Sequence, residues 1–79
     1  LGNVYVAGAR WTTKGLADIM TIKYSATGAR KWVRVWSAGG PDNDYAEGLV
    51  LGTAGGVYVS GEVTNVYGYP QAVLLKYKL

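Results

Sequence analysis

Seventy-nine residues hold at most one domain, and a chain this short buries only about 60% of the surface it exposes when unfolded. The absence of cysteine and histidine excludes disulfides, thiolate metal sites, imidazole bases and a titration switch near neutrality. The formal charge of +3 is mild and scattered, with only Arg30 and Lys31 adjacent, which argues against a nucleic-acid partner.

Residues 3–8 are a β-branched and aromatic run between glycines and are predicted to form a strand. A polar loop, 9–17, follows with Trp11, Lys14 and Gly15. The second strand is 18–24. Alternation puts Ile19, Thr21 and Lys23 on one face and Met20, Ile22 and Tyr24 on the other. Residues 25–28 make a tight turn in which Gly28 suits a positive φ and a G1 bulge. In the third strand, 30–36, Trp32, Arg34 and Trp36 share a face opposite Val33 and Val35. Residues 37–44 form a long turn around the breaker cluster Gly39-Gly40-Pro41-Asp42-Asn43-Asp44. Residues 45–51 are read as the fourth strand, because the flanking glycines oppose a short helix. The turn 52–55 leads to strand five at 56–61, a loop at 62–70 and strand six at 71–77. No heptad, helical period or apolar run of membrane-spanning length interrupts this pattern. The fold class is therefore all-β.

The chain also repeats itself. Gly2-Asn3-Val4-Tyr5-Val6-Ala7-Gly8 returns as Gly55-Gly56-Val57-Tyr58-Val59-Ser60-Gly61, with Val4 mapping onto Val57 at a period of 53 residues. The same offset carries 18–24 onto 71–77 without a gap and Gly15 onto Gly68. A fixed period near 50 points to a propeller, solenoid or array. Seventy-nine residues are about one and a half such repeats, and both ends read as cuts through a larger repeat protein.

The order of these pieces (Gly2 to Gly8, Asp18 to Tyr24, Gly28 to Trp36, then an Asp-bearing turn and Gly55 to Gly61) resembles the bacterial SBBP-type β-propeller repeat, a seven-bladed family. Two positions depart from its pattern: Gly52 stands where the family usually carries Asp, and Gly56 where the first copy has Asn3. The resemblance implies four-stranded antiparallel meander blades, with strands A to D running from hub to rim. Residues 1–37 would supply strands B, C and D of one blade, and 38–79 strands A, B and C of the next. It also implies an extracellular or cell-surface setting, although no signal peptide is legible in this chain. It implies no particular activity.

Alternate loops of a meander lie at the same end. The 9–17 and 62–70 loops and the 37–44 crossing should share one end, gathering Trp11, Asp42, Asp44, Tyr67 and Tyr69. Loops carry function more often than strands do, so these five residues are the candidate ligand-binding set. Trp11, Tyr67 and Tyr69 suit a carbohydrate stacking surface or a plug between blades. Asp42, Asn43 and Asp44 offer oxygen ligands for Ca²⁺, but a loop site wants about six oxygens at alternate spacing. Local Asx hydrogen bonds account for them without metal. Trp32 and Trp36 around Arg34 suit either a stacking platform or packing between blades, the Arg stem covering a ring.

Catalysis has no triad base, and only Asp42 and Asp44 are neighbouring carboxylates. The expected function is a structural or interaction scaffold, without enzymatic activity, cofactor or metal. Its expected partners are neighbouring blades or copies of itself, with protein or carbohydrate as further ligands and neither nucleic acid nor membrane. The alternative is a carbohydrate-binding propeller using the loop aromatics. A propeller enzyme with its site on the ring axis would need residues beyond this chain.

Overall fold

A computed structural model describes residues 2–12, 16–39, 43–52 and 54–79. Among these the chain is all-β and carries no helix. The strands are β1 (Val4–Trp11), β2 (Ala17–Tyr24), β3 (Arg30–Trp36), β4 (Tyr45–Leu51), β5 (Gly56–Thr64) and β6 (Pro70–Lys78). They form two antiparallel three-stranded meanders, β1-β2-β3 and β4-β5-β6.

Three hairpins close with the same turn. In Ser25–Ala29, Gly52–Gly56 and Asn65–Tyr69 the first amide donates to the fifth carbonyl and the fourth amide to the first carbonyl. The fourth residue is Gly28, Gly55 or Gly68, each with φ between 84° and 90°. A side chain there would be strained, which is why glycine recurs at that place.

Strand lengths differ from the expectation at one end of the fold. Ala9, Arg10 and Trp11 pair with Ile19, Asp18 and Ala17. Glu62, Val63 and Thr64 pair with Ala72, Gln71 and Pro70. The segments 9–11 and 62–64 thus extend strands rather than form loop. Val63 supplies the reason on the second sheet, since its side chain is buried in the core and gains more there than in solvent.

The two sheets stack face to face. Ile19, Val57, Val59 and Val63 are buried together, with Tyr5, Ala7, Trp36, Leu49, Val73, Leu75 and Tyr77 packed around them. The first sheet therefore turns its Tyr5, Ala7, Ile19 and Trp36 side inward, and the second its Val57, Val59, Val73, Leu75 and Tyr77 side.

The 53-residue repeat is carried into the register. Every β1–β2 pair, from Val4↔Tyr24 to Trp11↔Ala17, recurs as a β5–β6 pair, from Val57↔Tyr77 to Thr64↔Pro70. Tyr24 and Tyr77 occupy the same position on the same face of the repeated unit. Yet the stack buries the Tyr77 face of the second sheet and leaves the Tyr24 face of the first outside. Two non-equivalent faces of the repeat meet, so the packing is head-to-tail.

Candidate functional site

The end of the fold reached by β1, β3 and β5 is organised by Asn43 and Asp44. The Ala17 amide donates to Asn43 Oδ1 at 2.7 Å, and the Asp44 amide donates to the Ala17 carbonyl at 2.8 Å. Asp44 is only 1% exposed. Its Oδ2 accepts from the Ala38 amide at 3.0 Å, and its Oδ1 accepts from the Thr64 amide at 3.2 Å. One carboxylate thus ties the exit of β3 to the end of β5, while its own amide holds the start of β2. Both oxygens are engaged with backbone, so Asp44 faces the interior of the stack rather than a ligand. Asp42 lies outside the described residues. Among the described residues no cluster of three or more metal-ligating side chains occurs.

Trp11 stands at the last ladder position of β1, opposite Ala17, and is 61% exposed. Tyr67 and Tyr69 ride on the turn after β5, where Asn65 Oδ1 accepts from the Tyr67 amide at 2.9 Å and the Tyr69 amide at 3.1 Å. This Asx turn fixes the backbone of the tip. The rings point to solvent, 81% exposed for Tyr67 and 67% for Tyr69. Trp11, Asp44 and the tyrosine turn are joined through Ala17 and Thr64, so the sheets do bring them to one end. Among the described residues, none of the three aromatics stacks on another ring. The surface suits docking of a flat apolar group, and the nearby buried Asp44 is already engaged with backbone amides.

A second feature was not legible in the sequence. The ladder between β4 and β5 shifts between Ala46 and Gly48, leaving Glu47 as the extra residue of a β-bulge. Bulges re-aim side chains. Glu47, Gly61, Glu62, Pro70, Gln71 and Ala72 line an open cleft of about 360 Å³. Two carboxylates and an amide beside proline suit a hydrogen-bond donor or cation. A short Glu-Gly step inside a strand was the one available signal, and it does not say in which direction the bulged side chain points.

At the opposite end the aromatic residues are spent on packing. The Trp32 ring lies 6.2 Å from Tyr5 and 5.9 Å from Tyr77 of the other sheet. The Arg34 guanidinium sits over Trp32 at 5.1 Å, and Lys23 Nζ over Tyr5 at 5.9 Å. Lys23 Nζ also donates to the Leu79 main-chain oxygen at 2.7 Å. Trp36 packs on the buried cluster. Trp32 and Trp36 are therefore inter-sheet contacts, with Arg34 exposed beside Trp32. Burial pushes the Tyr77 phenol above its ordinary pKa, with the Thr21 hydroxyl and the Arg34 charge pulling the other way. The Thr21 approach falls short of a made hydrogen bond, for Thr21 Oγ1 is buried with no partner. Desolvation, the larger effect, sets the direction.

Compared with protein-family models, curated proteins and solved structures, the chain has no significant match.

Proposed function

We propose that this chain is a structural and interaction scaffold built from partial β-propeller blades, with residues 1–37 contributing strands B, C and D of one and 38–79 strands A, B and C of the next. One observation carries the reading: two sheets with the same register pack through non-equivalent faces. This is how successive units of a closed or open array meet. The uses of the polar residues agree with it, since Asn43, Asp44 and Lys23 tie the two halves together. The resemblance to the bacterial repeat extends the proposal to an extracellular or cell-surface setting, with proteins or neighbouring blades as partners.

The exposure of Trp11, Tyr67 and Tyr69 at one end favours a second reading, carbohydrate binding by stacking. Titration of the chain with a panel of neutral oligosaccharides, followed by tryptophan fluorescence, separates the two. The scaffold reading expects no saturable change. A saturable change that disappears in Trp11→Ala transfers the assignment to carbohydrate binding.

A further inference from the structure

The internal stack is a template for a contact that the chain leaves unmade. In the stack, the valine face of the second sheet (Val57, Val59, Val73, Leu75, Tyr77) is covered by the tyrosine face of the first (Tyr5, Ala7, Ile19, Thr21, Lys23). Moving by the 53-residue period gives the two outer faces. Val4, Val6, Met20, Ile22 and Tyr24 repeat the covered valine face, and Tyr58, Ser60, Ala72, Leu74 and Lys76 repeat the covering one. Both are open: Val4 is 51% exposed, Val6 45% and Leu74 67%. The total exposed area is 5180 Å², against about 4,600 Å² for a compact monomer of 8.4 kDa.

Two details match beyond residue type. Lys23 lies over Tyr5 at 5.9 Å on the face that covers, and Lys76 lies over Tyr58 at 5.6 Å on its open counterpart. The covering surface is thus already shaped on the outside of the second sheet. The glycines supply the other half. A Cβ at Gly61 would strike the Tyr45 carbonyl oxygen of the neighbouring strand β4 and come within 2.9 Å of the Ile19 Cδ1 methyl of the opposing sheet, which approaches closely there. Gly8 is its equivalent on the open valine face, and a Cβ there meets nothing within 4 Å. A strand glycine weakens its strand and often marks the close approach of another backbone. Among the described residues, nothing stands within 4 Å of the place a Gly8 side chain would take.

The geometry points to a second copy of this chain as the occupant, docking the Tyr58–Leu74–Lys76 face of one molecule onto the Val4–Gly8–Ile22 face of the next, head-to-tail. The inference rests on the scaffold reading and gives it a partner and a surface. Such a contact is heterologous, so each end of a row of copies still offers one free face, and the series either closes into a ring or continues.

Light scattering on the unmodified chain should give a mass that rises with concentration beyond that of one molecule. Gly8→Val fills the valine face and Leu74→Glu charges the tyrosine face. Each alone should weaken self-association by at least about tenfold, as loss of a central contact does, with circular dichroism unchanged and melting not lowered at low concentration. Mixed, the two variants retain one intact face each, and should form a one-to-one pair and nothing larger. Val6→Glu replaces Gly8→Val if the latter does not keep the native spectrum. A single-chain mass for the unmodified protein at every concentration overturns the inference. So does a mixture that stays unpaired, or association that survives both substitutions. An oligosaccharide bound through Trp11 would overturn the scaffold reading without changing these masses, and a monomeric chain would leave that reading of the paired sheets standing.

Discussion

Asp44 sits where three chain segments meet, and its worth can be argued from its two acceptors. Asp44→Ala leaves the Ala38 and Thr64 amides without partners in a part-buried place. An unsatisfied buried donor costs about 1–3 kcal/mol, so urea melts should show a loss of about 2–4 kcal/mol, with a smaller loss for Asp44→Asn, which keeps one carbonyl acceptor. A loss within about 0.5 kcal/mol would mean that the carboxylate does not hold the sheets. Tyr77 gives a prediction with a sign. Its folded pKa is raised above the ordinary 10.0, so the folded state holds the phenolic proton more tightly than the unfolded one. The stability that follows is present in full below pH 10 and is lost as pH rises through the folded value. Ultraviolet titration should therefore show one of the seven tyrosines ionising late. Tyr77→Phe should remove that late step and flatten the alkaline fall in melting temperature.

At the scale of elements, the sheets are spaced by small residues where they come closest. Gly61→Ala puts a methyl into the Tyr45 carbonyl and the Ile19 side chain. Overpacking of this kind costs about 1–3 kcal/mol. Gly8→Ala, at the equivalent place on the open face, meets no atom and should instead gain about 0.5–1 kcal/mol from the restricted unfolded chain. Thermal melts of the two variants in dilute solution test the contrast, and equal effects would mean that β4 and Ile19 do not crowd Gly61. The hairpins set their own limits. Positive φ at Gly28, Gly55 and Gly68 makes each turn's fourth position a glycine requirement. That requirement was legible in the sequence at Gly28, because the turn lay between two clear strands. It was hidden at Gly68, because the segment from Glu62 looked like loop.

At the scale of the molecule, the Cα radius of gyration is 13.2 Å, above the value of about 11.6 Å for a compact chain of this length. The body measures 42 × 27 × 15 Å, and the described residues form two sheet layers. Such a slab leaves apolar surface on its outer faces, and any species that binds the folded state raises apparent stability by mass action. The melting temperature should accordingly rise with protein concentration over a hundredfold range. Far-UV circular dichroism should show strand without helix. A concentration-independent melt would argue that both outer faces are stable in water as they stand.

Much of this fold was present in the sequence because alternation and glycine spacing are local. Six strands, their faces and the 53-residue period need no knowledge of what packs on what. The placement of Trp11, Tyr67 and Tyr69 at one end followed from meander parity alone. Other features could not be read locally. Asp44 carries the same turn chemistry whether it faces solvent or backbone, and only the approach of Ala38 and Thr64 decided that it is buried. Trp32 suits a stacking platform equally well until Tyr77 of the second sheet arrives against it. Which face of each sheet turns inward was settled by the same approach, since both faces of a strand such as Val4 to Gly8 are apolar enough to be core. Alternation determines that two faces exist; the energy of covering one of them belongs to the pair of sheets, and so appears only in the tertiary structure.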